Sequence, residues 1–154
     1  MKKIYLFLTA ASAVFFLAGT IYAQNTGEIE WLAQIDKKPA VTYNDAVNLF
    51  VYQTGKNPST FEQDSTALAS EGIALQGYNG DTPLTKGMLS KMTAGYLKLE
   101  GSLMYNFFKT ERYAFKACIA NGIFKEDGSQ YDRLSGPAMI EVFSKINEIR
   151  GEQK

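Results

Sequence analysis

The 154-residue chain contains no histidine and only one cysteine. The absence of histidine removes the commonest general base and the commonest ligand for transition metals. A single cysteine, Cys118, excludes an intramolecular disulfide as well as the zinc and redox motifs that need paired cysteines. The loop over residues 126–132 lacks the alternating acidic ligands and closing glutamate of a calcium loop. The sequence therefore predicts a non-enzymatic protein without a metal or cofactor, stabilised by packing alone.

The N terminus has the order of residue types typical of a secretory signal. Lys2 and Lys3 precede an apolar stretch over residues 4–18, and small or uncharged residues follow it. A core of about 15 residues is too short for a membrane-spanning helix, which needs roughly 20. The pattern predicts that residues 1–23 are a cleaved signal peptide and that residues 24–154 are exported to the periplasm or surface of a bacterium.

Cleavage would leave a weakly acidic protein without a transmembrane segment. The 16 basic and 16 acidic residues of the whole chain become 14 and 16 once Lys2 and Lys3 are removed, a net charge of −2. No basic block remains, so the chain lacks the positive surface that nucleic-acid binding needs. We therefore expect no nucleic-acid partner.

Apolar residues recur at helical spacing throughout the exported part, and loops rich in glycine, asparagine and aspartate separate these segments. Helices are expected over 28–37, 43–54, 61–71, 85–99, 104–121 and 135–150. No convincing run of strands is present. The sequence predicts a mainly α protein in which residues 24–40 form a lead-in with a short helix and residues 41–154 form one helical repeat domain.

A shift of 50 residues lays the second half of the pattern on the first without a gap. The matched pairs are Ala67 and Ala117, Gly72 and Gly122, Ile73 and Ile123, Leu84 and Leu134, and Thr85 and Ser135. Each half contains a helix, a Gly-Ile step, a polar loop, a leucine, a hydroxyl residue and a second helix. Val41–Asp45 matches the same helix start a third time, although its upstream helix and Gly-Ile step are expected to be absent or degraded. Such units bury their apolar faces by stacking.

These residues resemble the repeats of the S-layer homology (SLH) domain, which pair two helices around a Gly-rich loop. In that family a short motif of the form Leu-Thr-Arg-Ala-Glu starts the second helix. Leu84–Met88 follows the motif, Leu134–Ala138 follows it more loosely, and Val41–Asp45 keeps the helix start alone. The resemblance covers about 110 residues. It implies a small, pseudo-threefold SLH-like helical bundle that binds an anionic cell-wall or peptidoglycan-associated polymer.

The resemblance also implies where the polymer would bind, namely at the three helix starts. The implied polymer-binding residues are Thr42, Tyr43, Thr85, Lys86 and Ser135. The family's motif arginine is expected to grip the polymer, but its positions hold Tyr43, Lys86 and Gly136 here, so one cation remains. The three hydroxyl residues have a second explanation, because a hydroxyl at a helix start caps a free backbone N–H.

An alternative function needs no polymer. Stacked helices can also serve as a protein-interaction scaffold in the periplasm or at the cell surface, with an envelope protein as the partner. Exposed aromatic side chains would supply the contacts, and the candidates are Tyr78, Tyr105, Tyr113 and Tyr131. The sequence leaves both hypotheses open.

Overall fold

The computed structural model of the protein describes residues 27–99 and 110–152, so the predicted signal peptide lies outside the described residues. These two ranges contain six helices and no β-strand. The helices are α1 (27–35), α2 (Tyr43–Gln53), α3 (Phe61–Ser70), α4 (Lys86–Leu97), α5 (Glu111–Ala120) and α6 (Gly136–Glu152). The prediction of a mainly α fold is confirmed. The N-terminal part of the helix predicted over 104–121 falls outside the described residues.

The three helices that follow the matched helix-start motifs begin with the same cap, as their hydroxyl residues predict. Thr42, Thr85 and Ser135 each accept a hydrogen bond from the backbone N–H three residues further on, at 3.4, 3.2 and 3.4 Å. In the first of them Asp45 returns the interaction, because its carboxylate accepts the Thr42 backbone N–H at 2.9 Å. Each cap satisfies one N–H that the helix leaves without a partner and so fixes where the helix begins.

Backbone hydrogen bonds join the residues just before these caps into a closed ring. The Val41 N–H donates to the Leu134 carbonyl at 3.0 Å, the Leu134 N–H donates to Leu84 at 3.1 Å, and the Leu84 N–H donates to Val41 at 3.0 Å. All three side chains are buried. Each junction is thereby bonded to both of the others, and the three copies surround a pseudo-threefold axis.

The first copy does have an upstream helix, α1, so the expectation that it is absent or degraded is wrong. Ile35 at the end of α1 is buried, as Ile73 is after α3. Five residues separate Ile35 from Val41, whereas ten separate Ile73 from Leu84. The shorter loop hides the first copy from any gapless shift of the sequence, although its helix pair is present.

The helices α2, α4 and α6 run from the ring into a shared core. Fully buried side chains from all three helices fill it, including Leu49, Phe50, Leu89, Met92, Met139 and Ile146. At the far end the Arg150 guanidinium donates to the Gln53 carbonyl at 2.8 Å and lies 5.6 Å from the centre of the Tyr96 ring. The ends of all three inner helices therefore meet at Arg150.

None of the helices within residues 27–99 and 110–152 combines the length and the apolar character that crossing a membrane requires.

Aromatic side chains on the outer helices pack against neighbouring aromatic rings. Trp31 of α1 packs on Tyr52 of α2 with ring centres 5.3 Å apart, and Phe115 of α5 packs on Phe124 at 5.5 Å. These contacts attach the outer helices to the rest of the fold.

Candidate functional site

The residue after each cap lies against the loop of the neighbouring copy, and these are the three positions at which the resemblance to SLH repeats implies an arginine. Their backbone N–H groups donate to that loop at 2.8, 2.9 and 2.9 Å. The bonds join Tyr43 to Thr82, Lys86 to Asp132, and Gly136 to Lys38. Because the backbone is held similarly at all three junctions, the side chain decides whether each one is open.

Tyr43 fills the first junction completely and has no exposed surface. Its hydroxyl donates to the Leu75 carbonyl at 2.9 Å and accepts the Leu75 N–H at 2.7 Å. Its ring contacts Phe61 and Tyr78 with ring centres 5.9 and 5.7 Å away. Burial raises the pKa of the Tyr43 hydroxyl above its ordinary value. A polymer cannot reach this side chain, so the binding role implied for Tyr43 does not fit its position.

Gly136 closes the third junction by bringing two backbone segments together. A Cβ atom at this position would lie 1.7 Å from the Ile35 carbonyl oxygen and 3.2 Å from that of Lys38. No side chain of any kind fits, because the obstacles are backbone atoms that cannot rotate away. The neighbouring Ser135 is left with its capping role.

Lys86 occupies the second junction. Among the residues at the three junctions, it is the one with a charged side chain that solvent can reach. Its ammonium nitrogen lies 3.1 Å from the Asp127 carbonyl oxygen, 3.4 Å from the Asp127 carboxylate and 3.5 Å from the Asp132 carboxylate. The Lys86 side chain is 18% exposed, against 73% for Asp127 and 45% for Asp132. The lysine therefore holds two acidic groups of the next copy's loop at the surface.

The loop that Lys86 holds has a conformation that depends on a glycine. Gly128 has φ +73°, and a Cβ atom there would lie 2.1 Å from the Asp132 carboxylate. The same carboxylate accepts the Ser129 N–H at 2.8 Å. Glycine is needed both for the left-handed backbone and for the space that the carboxylate occupies.

A groove of about 160 Å³ opens beside Lys86. Its floor is apolar and consists of Ile123, Leu134 and Val142. Its rim carries Lys86, Asp127, Lys125 and Glu141, and the last two form an exposed ion pair at 3.3 Å. The rim and the adjoining Asp132 together carry three carboxylates and two ammonium groups. This balance disfavours a polyanion, whereas carboxylates and an ammonium group together suit a ligand rich in hydroxyl groups.

The five implied site residues belong to three junctions, which the backbone ring joins but which hold their side chains differently. Thr42, Thr85 and Ser135 act as caps, and only Thr85 and Lys86 lie at the open junction. Asp127 and Asp132, which carry the geometry at Lys86, are not among the implied polymer-binding residues. Within the described ranges no group of three or more acidic or cysteine side chains is arranged to hold a metal ion.

Cys118 is unsuited to nucleophilic chemistry. It is fully buried, and its thiol donates a weak hydrogen bond to the Ser90 carbonyl at 3.5 Å. Burial raises the pKa of the thiol to about 12, against a smaller lowering by the Ser90 side chain. The thiol is therefore protonated near neutral pH, and the thiolate is the reactive form.

Comparisons of the chain with protein-family models, with curated proteins and with solved structures gave no match.

Proposed function

We propose that this chain is an exported, non-enzymatic module of the bacterial cell envelope that binds a cell-wall or peptidoglycan-associated polymer. The observation that carries the proposal is the open junction at Lys86, which is 18% exposed and fixed by Asp127 and Asp132 at the mouth of a groove. The other two junctions are filled by Tyr43 and by the backbone around Gly136. One polymer site per chain follows from this arrangement.

The charges around the groove indicate which part of a polymer it would bind. The Lys86 ammonium is already neutralised by two carboxylates, so it has little attraction left for a phosphate-rich chain. Carboxylate oxygens accept hydrogen bonds from sugar hydroxyls, and the apolar floor at Ile123 and Val142 suits the C–H faces of sugar rings. We therefore assign the groove to a neutral, hydroxyl-rich stretch of glycan.

Co-sedimentation with isolated sacculi tests this function. Purified residues 24–154 are expected to sediment with sacculi in low salt, and Lys86→Ala is expected to weaken binding roughly tenfold, because the loop carboxylates then lose their fixed positions. Lys86→Arg keeps a cation at the same place and should retain most of the binding. The measurement is the bound fraction as a function of sacculus concentration.

The matched control for Lys86→Ala is Lys56→Ala, which removes the same charge elsewhere. Lys56 is 65% exposed and lies 3.8 Å from Glu71, far in sequence from the open junction. The Lys56→Ala protein should bind sacculi as well as the unchanged protein does. If the unchanged protein fails to sediment at every salt concentration, polymer binding is excluded.

The scaffold alternative is favoured by one observation, the exposure of Tyr131. This side chain is 75% exposed at the end of the loop that Lys86 holds, and Ile29 is 65% exposed on α1. Tyr78 is less available, because it is 37% exposed and donates to the Glu111 carboxylate at 2.8 Å. Tyr113 is half-buried, and Tyr105 falls outside the described residues. Tyr131 is thus the strongest candidate for a protein contact.

Crosslinking in intact cells separates the two functions. A protein scaffold should yield a discrete crosslinked partner that is lost with Tyr131→Ala and unaffected by Lys86→Ala, since large exposed aromatic groups dominate protein contacts. A polymer module should show the opposite dependence in the sedimentation assay. A partner that persists in the Tyr131→Ala protein would count against a contact through this side chain.

A further inference from the structure

A second cavity borders the loop that Lys86 holds and shares no lining residue with the groove at Lys86. Its volume is about 560 Å³, within the range typical of small-molecule sites. The helix α5 provides an apolar floor formed by Phe115 and Ile119, and the loop provides Glu126, Gly128 and Gln130. Phe115 is 5% exposed and packs against Phe124, so this floor is part of the fixed fold.

Opposite charges stand on the two walls of this cavity. Arg112 and Lys116 lie four residues apart on α5, so they share one face of the helix. Glu126 lines the cavity from the loop. All three side chains belong to exposed residues, and none of them forms an ion pair within residues 27–99 and 110–152. Each charge is therefore available to a ligand.

Two cations and an apolar patch on one face of α5, together with a carboxylate on the loop, form a pattern that matches one class of ligand. We propose that this cavity binds a short peptide with free ends. The peptide's terminal carboxylate lies against Arg112 and Lys116, since a guanidinium can donate two parallel hydrogen bonds to a carboxylate. Its terminal ammonium faces Glu126, and an apolar side chain rests on Phe115 and Ile119.

Other ligand classes satisfy fewer of these groups. A phosphate would meet the two cations but also the negative charge of Glu126, which repels it. A neutral sugar would leave all three charged groups without a charged partner. A free amino acid carries both charges on one carbon atom, so it spans the two walls less well than a dipeptide does. The site is separate from the groove at Lys86 and does not depend on polymer binding.

Titration of the purified protein with alanyl-leucine, followed by amide NMR shifts, tests the proposal. We expect saturable binding with shifts centred on α5 and the loop of residues 126–130. Amidation of the peptide's carboxylate and the double substitution Arg112→Gln/Lys116→Gln should each weaken binding by about tenfold or more. Acetylation of the peptide's amine and Glu126→Gln should also each weaken it. Free leucine should bind more weakly than the dipeptide.

The control is Lys56→Gln, which removes an exposed cation from another copy and should leave peptide binding unchanged. Because Arg112, Lys116 and Glu126 are exposed, their variants should keep the helical circular-dichroism spectrum of the unchanged protein. Absence of saturable binding, or equal binding by the double variant, overturns the proposal. A protein that ignores sacculi but binds the dipeptide would retain this site and lose the polymer function.

Discussion

Replacement of Gly136 by alanine is expected to lower the free energy of unfolding by about 3 kcal/mol or more, because it forces an atom into the backbone of another copy. The new Cβ would lie 1.7 Å from the Ile35 carbonyl oxygen and 2.7 Å from its carbon. Relief requires α1 and α6 to move apart, which also breaks the hydrogen bond from the Gly136 N–H to Lys38. Urea denaturation followed by circular dichroism measures the loss.

Gly151→Ala is the matched control for Gly136→Ala, since both glycines belong to α6. Nothing lies within 4 Å of a Cβ atom at Gly151. Alanine forms helix better than glycine by roughly 1 kcal/mol, so this variant should be as stable as the unchanged protein or slightly more so. If Gly136→Ala unfolds at the same urea concentration as the Gly151→Ala protein, the close contact between the first and third copies does not exist in solution.

Gly136 also closes the third junction to any side chain, because its backbone lies against that of Ile35. A larger residue does not fit there without separating α1 from α6, so the third junction cannot carry a cationic side chain. Tyr43 closes the first junction by a different means, with a side chain that fits the space. Packing thus closes two of the three junctions, and the junction at Lys86 is the open one among them.

The features that could be predicted from the sequence are the local ones. The hydroxyl caps at Thr42, Thr85 and Ser135 are hydrogen bonds between residues three apart in the sequence. Both partners therefore fall within one short sequence motif. The matched glycines Gly72 and Gly122 both have positive φ, +76° and +71°, as a turn that ends a helix requires. Repetition at a fixed spacing made both features visible.

The features that could not be predicted depend on how the ring closes. Lys86 lies 41 residues before Asp127, and only the contact between neighbouring copies brings them together. Likewise, no local pattern indicates that Tyr43 meets the backbone of Leu75, 32 residues away. Motif position alone therefore suggested a binding role for Tyr43, whereas its burial decides against one.

Tyr43→Phe is the second substitution with a large expected effect, a loss of about 2–6 kcal/mol in the free energy of unfolding. The phenyl ring keeps the contacts with Phe61 and Tyr78, so the packing is preserved. What disappears is the hydroxyl that both accepts the Leu75 N–H and donates to the Leu75 carbonyl. Both backbone groups are then buried without a partner, at a cost of about 1–3 kcal/mol each.

The pH dependence of the stability difference between the unchanged protein and Tyr43→Phe tests the role of the hydroxyl more closely. Burial raises the pKa of Tyr43 above 10.0, so ionisation favours the unfolded chain once the pH exceeds the ordinary tyrosine value. The stability that the neutral hydroxyl contributes is complete below pH 10 and declines as the pH rises towards the folded-state pKa. The gap between the unchanged protein and Tyr43→Phe should accordingly narrow above pH 10.

Tyr52→Phe controls for the general effect of removing a tyrosine hydroxyl. The Tyr52 hydroxyl donates one longer bond, 3.4 Å, to the Gly27 carbonyl at the half-buried start of α1. Water can replace that partner, so this variant should lose less than about 1 kcal/mol. Equal losses for the two variants would mean that Leu75 finds another partner when the Tyr43 hydroxyl is absent. A much larger loss for Tyr43→Phe would establish that the paired hydrogen bonds to Leu75 stabilise the closed first junction.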